Sequence, residues 1–382
     1  MMVFSAALTF GGEFTSLPTR SASHALPVPP GAVLVQSGRQ ALGLVAQALA
    51  ARGIRSLIAP GFLCATAIEP FQLEGIRVRW VQVGPDLLPA PARLAELLTE
   101  PRRCAVLVST TFGAWPAPEL RAVLEEWERR GGAVVADLTH APFSAATIRK
   151  VPTRYAVASL RKWFPIPDGA WALGAALPAA AAENALAREA TRCGLLQLRG
   201  EEHDGAAEAA IDAALSPNPM SGAAQDILGH LDVGAALERR RANARALREA
   251  LVGEGVPEAA IFGDGEGSGG AENGWVPNGA ATSGEATSCN ATDSSESTSH
   301  APYALALRLD DLPPDWAAAH KPHNSHTIAE HLAARGVYTP AFWPRLSHSV
   351  DWPHILALPI DQRYSPGQMS ELARRVTQVL GL

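Results

Sequence analysis

Between Val33 and Leu177, short runs of β-branched residues take turns with stretches whose apolar residues recur at helical spacing. The spacing predicts strands over Arg55–Ala59, Ile76–Val83, Cys104–Thr110, Ala133–Asp137, Arg154–Leu160 and Trp171–Leu177. Helices are predicted between them at Ala41–Ala51, Ala67–Glu74, Pro91–Thr99 and Pro118–Arg129. Strand and helix in alternation call for a mostly parallel sheet covered on both faces. Runs such as Ala-Val-Leu-Val and Ala-Val-Val-Ala suit strands with no solvent face.

After Pro178 the pattern changes. Ala179–Arg192 is Ala-rich and predicted helical, and Ile227–Leu251 is predicted as one long amphipathic helix carrying the arginines Arg239 to Arg241. A strand at Tyr303–Leu309 and helices at Thr327–Arg335 and Pro366–Leu380 complete a smaller C-terminal α/β unit. The division expected is a large domain over 1–225, with an N-terminal arm, and a small one over 226–382. Gly263 to His300 is rich in Gly, Ser, Thr, Ala and Asn, contains no Lys or Arg, and is expected to be a flexible insertion.

Composition narrows the functions. With 47% hydrophobic residues the chain can bury a large core, and a formal net charge of −6 without a basic tract excludes a general nucleic-acid binder. No apolar run nears the roughly 20 residues that span a bilayer. The start lacks a signal-peptide pattern, and Cys64, Cys104, Cys193 and Cys289 form no paired framework, so a cytoplasmic protein is expected. His320, His323 and His326 are interrupted by Pro322 and joined by no acid or cysteine, so they are read as a polar loop, and no metal is expected.

Only three lysines occur, Lys150, Lys162 and Lys321, in a chain whose other basic residues are arginine. Lys162 follows the strand Arg154–Leu160, at the strand end where open α/β sheets collect ligands. With Trp163 and Phe164 beside it, it is a candidate Schiff-base lysine, and Ser159 three residues earlier can aim a hydroxyl at a cofactor phosphate. Asp137 ends the strand Ala133–Asp137, where a carboxylate can keep the ring nitrogen of pyridoxal 5′-phosphate (PLP) protonated, and His140 follows three residues on. Ser37-Gly38-Arg39 opens the helix before Ala41 and offers free N–H groups to a phosphate, opposite Ser159. Each feature has a plain structural explanation as well: a surface lysine, a capping aspartate, a locally bonded histidine, a helix cap. Their order along the chain, phosphate cradle, acid and then lysine, is what the separate explanations leave out.

These segments resemble the DegT/StrS-type (sugar) aminotransferases, the chain being an outlying member in this reading. Gly11-Gly12-Glu13-Phe14 is similar to that family's Gly-x-Glu-Phe, and Ser37 to Leu42 to its Ser-Gly-x-x-Ala-Leu. Pro60 to Phe71 resembles its ring-crossing segment, and Ala136 to Ala141 its Asp-x-x-His/Gln-Ala. Ser159 to Gly169 and Leu358 to Tyr364 resemble the lysine segment and C-terminal signature of the outlying branch. The resemblance implies a fold-type I PLP-transferase, PLP on Lys162, an amino donor and a keto acceptor as substrates, and a homodimer. It also implies an aromatic ring over the cofactor; the ungapped position is Cys64, which leaves Phe62 as the stacking candidate. Asn218-Pro219-Met220-Ser221 stands where many members carry Asn-x-Arg-Met-Ser, and the Pro-rich loop Ser216–Ser221 is expected to reach the neighbouring subunit. Transamination is the leading activity. Another PLP reaction (decarboxylase, lyase or aldolase type) and a PLP-binding regulatory protein without turnover share the same residues.

Overall fold

The computed structural model describes residues 8–143, 151–201, 205–263, 301–313, 315–316, 325–340, 342–343 and 353–382. Most of the expected insertion, together with Lys150, Lys321, His320 and His323, lies outside the described residues.

The large domain is built on seven strands: β2 (Val33–Val35), β3 (Ser56–Pro60), β4 (Arg77–Val81), β5 (Cys104–Ser109), β6 (Ala133–Asp137), β7 (Tyr155–Ser159) and β8 (Ala170–Gly174). They lie in the order β4-β3-β5-β6-β7-β8-β2. β4 through β7 run parallel, and β8 is antiparallel to both of its neighbours. Side chains alternate between two cores, as pleating requires. Val106, Val108, Val134 and Ala136 pack under α4 (Pro118–Arg129) with Leu120, Leu124 and Trp127. Ala105, Leu107, Ala133 and Val135 face the other way, onto Leu42, Val45 and Leu49 of α1 (Gly38–Ala51). Burial on both faces is why these strands are written almost wholly in apolar residues.

The connecting helices include α2 (Ala65–Leu73) and α3 (Pro91–Leu97); after β8 come α5 (Ala185–Leu198), α6 (Ala206–Ala213) and α7 (Gly222–Gly229). The Ala-rich segment expected to be helical from Ala179 begins its helix only at Ala185, where Asn184 caps it by accepting from the N–H of Ala187. The single helix expected over Ile227–Leu251 is two, α7 and α8 (Val233–Gly253). The break comes where Asp232 turns its carboxylate to the N–H of Ala235 and starts a new helix.

Along α8, the buried residues Leu237, Arg240, Ala244, Leu247 and Leu251 recur every three or four positions. Leu237 belongs to the large-domain core, and Ala244, Leu247 and Leu251 to a second core. That second core lies between α8, α10 (Met369–Leu380) and a three-stranded antiparallel sheet of β9 (Ile261–Phe262), β10 (Leu305–Arg308) and β12 (Ile355–Leu358). Leu305, Leu307, Leu356 and Leu358 face into it. The opposite face of that sheet presents Ala306, Ile355 and Ala357 to Phe62, Val83, Leu87 and Phe112 of the large domain.

The N-terminal arm crosses to this second core. β1 (Phe10–Gly11) pairs in parallel with β11 (Val337–Tyr338), which follows α9 (Ser325–Ala333). Phe10 is fully buried against Tyr364, ring centroids 5.1 Å apart. A Cβ on Gly11 would run into the carbonyl oxygen of Tyr338, so this pairing needs glycine. Among the described residues, no helix is long and apolar enough to cross a membrane.

Candidate active site

The carboxyl ends of β5, β6 and β7 form a polar shelf beside the start of α1. Ser37 caps α1, its hydroxyl accepting from the N–H of Gln40 at 3.2 Å. The N–H groups of Gly38 and Arg39, in the first turn, have no intrahelical acceptor. A Cβ on Gly38 would lie 3.2 Å from the Cβ of Ser159, tighter than side chains normally pack, so glycine lets the helix start close on the end of β7. Ser159 is buried, and its N–H donates to the hydroxyl of Thr139 at 3.2 Å. A helix N-terminus, a hydroxyl and a glycine-sized gap make a cradle that fits a phosphate group.

Asp137 accepts the N–H of Thr139 on Oδ1 at 3.0 Å, which fixes the turn after β6. Among the described residues Oδ2 has no donor, so one oxygen holds the loop and the other is open. His140 is buried and accepts the backbone N–H of Phe112 on Nδ1 at 3.0 Å, which leaves the proton of the neutral ring on Nε2. Burial, and next the charge of Lys162, push its pKa well below the usual histidine value. Phe112 has a φ of 54°, a left-handed conformation rare for a bulky residue, and its N–H is held there by His140.

Lys162 sits in the loop after β7. Trp163 and Phe164, expected to give it apolar surroundings, are buried on the inner side of that loop, and Lys162 itself is exposed. The loop is held from three directions. Trp163 Nε1 donates to the carbonyl of Thr139 at 2.7 Å, linking it to the Asp137 turn. The carbonyl of Trp163 accepts from Arg240 Nη2 at 3.2 Å and Gln362 Nε2 at 2.8 Å, linking it to α8 and the C-terminal domain. The Arg240 guanidinium also covers the Trp163 ring at 4.5 Å, and burial lowers its pKa to about 10. Lys162 has no ion pair or hydrogen bond with a described residue. It lines a cavity of about 360 Å³ with Arg240, Tyr303, Arg363 and the arm residues Glu13 and Phe14. Of the site residues expected from sequence, it alone lines that cavity; the others lie on the shelf or pack beside it.

Three expectations change. Arg39 turns its guanidinium toward α2 and α6, 3.3 Å from both Glu69 and Asp212, so only its backbone faces the cradle. Phe62, expected to stack on a cofactor ring, is fully buried in the seam between the domains with Trp343 5.0 Å away. The loop Ser216–Ser221 folds inward over β2 instead of reaching outward. Pro219 bridges to Val35, the Asn218 N–H donates to Gln40 Oε1, and the Ser221 N–H donates to Asp168. Ser221 also caps α7, so neither Asn218 nor Ser221 is presented to a neighbour.

Sequence reasoning missed Tyr303, whose ring stacks on His140 at 4.1 Å with 13° between planes, and Arg240 behind the lysine loop. Tyr303 follows the low-complexity segment and carried no motif; the arginine run at Arg239–Arg241 was visible, but not which member is buried. His326, the one described member of the histidine cluster, lies 3.3 Å from Glu330. Among the described residues no three His, Cys, Asp or Glu side chains gather as metal ligands do.

No family model matches the chain, and no curated protein matches it. Solved structures do. The chain is similar to DesI, solved in the presence of its TDP-sugar product, at 16% identity and a TM-score of 0.55, over 91% of this chain and 80% of that one. It is similar to the aminotransferase TlmJ from Streptoalloteichus hindustanus at 18% identity and 0.55, over 92% and 86%. The PLP-form of the putative sugar aminotransferase Spr1654 from Streptococcus pneumoniae matches at 14% identity and 0.56, over 92% and 87%. At these identities the likeness establishes the fold: an α/β fold shared with these aminotransferases over nearly the whole chain, as the resemblance in sequence led us to expect.

Proposed function

We propose that the protein is a PLP-dependent aminotransferase that takes an amino group from an amino donor to a keto acceptor, keto sugars being the first class to test. The observation that carries this reading is Lys162: a lysine with no ion pair or hydrogen bond to a described residue, in the loop after β7, whose neighbour β6 ends in Asp137 and whose own end packs on Gly38 at the start of α1. PLP, when bound, supplies an electron sink and a carrier for the amino group.

The chain's own residues divide the remaining work. Lys162 Nζ would hold the cofactor, and its amine would be the group placed to move a proton to or from the reacting carbon. Asp137 Oδ2 would help keep a cofactor ring nitrogen protonated, while Oδ1 stays on the Thr139 N–H. His140, neutral and fixed with Nε2–H by the bond from Phe112, would offer a donor to the bound group. The N–H groups of Gly38 and Arg39 and the Ser159 hydroxyl receive the phosphate. The cavity lined by Lys162 and Arg240 lies open to solvent on one side, and we propose that a second copy of the chain closes it in a cytoplasmic homodimer. The inward fold of Ser216–Ser221 favours a different segment as the partner's contribution.

Borohydride reduction in the presence of PLP, followed by peptide mass spectrometry, is the direct test. A phosphopyridoxyl mark on the peptide holding Lys162, together with amine transfer from amino acids to keto sugars, is expected. A mark confined to Lys150 or Lys321, or the absence of any amine transfer, overturns the reading. Sedimentation tests the dimer: an active, PLP-loaded monomer excludes it.

A further inference from the structure

At the opposite, amino end of the parallel strands, four arginines surround a groove of about 320 Å³. Strand pairing places them there. The N–H of Arg55 donates to the carbonyl of Arg103 at 2.9 Å, and the N–H of Arg77 to the carbonyl of Arg55 at 3.0 Å. Arg103, Arg55 and Arg77 therefore stand side by side where β5, β3 and β4 begin, at roughly the 4.8 Å spacing of adjacent strands. Arg79, two residues along β4, returns to the same face as Arg77.

Several of the chain's exposed arginines, unlike these four, sit directly against a carboxylate. Arg20, Arg93, Arg129, Arg192 and Arg374 each lie 2.7 Å or less from a carboxylate oxygen. Arg55, Arg77, Arg79 and Arg103 have no ion pair with a described residue. Arg55 donates to the carbonyls of Ala50 and Ile54, and Arg79 to that of Leu97. Glu100 is the one carboxylate in the lining, against four guanidinium groups. In a chain of net charge −6, the sheet register brings together a local excess of positive charge.

We infer that this groove binds a small polyphosphate anion, at a site separate from the Lys162 shelf. Guanidinium forks bind phosphate oxygens in pairs, and several forks around one concavity match linked phosphates better than a single carboxylate. The groove is at the small end of the range for small-molecule sites, too small for a folded partner. No aromatic residue lines it, so nothing there stacks on a base, and the phosphate chain itself is the recognised group. An extended nucleic acid would need basic charge continuing beyond the groove, which the acidic chain does not supply.

Calorimetric titration of inorganic tripolyphosphate into the full-length, PLP-saturated protein at low salt tests the inference. One saturable site is expected, weakening as salt is raised. Arg77→Gln combined with Arg79→Gln should weaken binding at least about tenfold, and Arg55→Gln with Arg103→Gln, on the neighbouring strands, should do the same. Lys162→Ala should leave tripolyphosphate affinity unchanged, which separates this site from the proposed catalytic one. Unchanged PLP absorbance shows that the two arginine double variants are folded, and an unchanged circular dichroism spectrum shows the same for Lys162→Ala. Absence of binding at millimolar tripolyphosphate, affinity in both double variants equal to that of the unaltered protein, or tighter binding of a glutamate-rich peptide would each overturn it.

Discussion

The two ends of the central sheet treat polar groups in opposite ways. At the carboxyl ends, Ser37, Asp137, Thr139, His140 and Ser159 are locked to one another or to nearby backbone. At the amino ends, four arginines crowd together with little but carbonyl oxygens to receive them. The first arrangement fixes geometry before any ligand arrives, which is what a reacting group needs. The second stores unmatched charge, which favours capture over positioning.

Substitutions at the two ends should accordingly differ in kind. Lys162→Ala is expected to lower amine transfer by at least about 10³-fold, since both cofactor attachment and proton transfer are lost. Turnover with an amino donor and a keto acceptor measures it. Asp137→Asn should retain bound PLP while activity drops on the order of 10²-fold, because the amide no longer holds a ring proton. Absorbance spectra and rates together distinguish this from loss of the cofactor.

Arg240→Met removes three charge-assisted hydrogen bonds, to Gln362 and to the carbonyls of Tyr303 and Trp163. A stability loss of about 2–4 kcal/mol is expected by urea unfolding, along with a looser lysine loop.

His140 adds a pH dependence of its own. Its folded pKa is depressed by burial, so below the ordinary value of about 6.5 the unfolded chain takes up a proton that the folded chain refuses. Its contribution to stability is thus complete above that value and lost as pH falls toward the folded pKa. His140→Asn should flatten this part of the curve, seen as a smaller drop in melting temperature between neutral and mildly acidic pH. Arg77→Gln, at the other end, should change stability by no more than about 0.5 kcal/mol. A larger loss would mean that the amino-end arginines also brace the fold.

The central strands were legible because burial on both faces leaves no room for a polar residue, and β6 has the bounds expected of it. Short or edge pieces were not. β2 and β12 have three and four residues, too few to show a period, and β1 and β11 pair only because the arm crosses the molecule. In the candidate site, Lys162, Asp137 and Ser159 were readable from residue type and place after a strand. Tyr303 and Arg240 act across the domain seam, where nothing local marks them. The arginine groove was invisible for a related reason. Arg55, Arg77 and Arg103 lie far apart in the chain, and parallel pairing sets the starts of successive strands side by side.

The crossing of the arm has a bearing on synthesis. Phe10 is translated long before Val337 and Tyr364, its partners in the C-terminal core. At roughly 10 residues per second, that delay is on the order of half a minute. The seven-stranded sheet and its helices form a contiguous stretch that can condense on the ribosome while the arm trails unpaired. The arm is therefore a closing clasp, engaged only once the segment from Val337 to Tyr364 has been made. A tag or truncation placed near Phe10 should disturb the last event of assembly and leave the sheet to form as before.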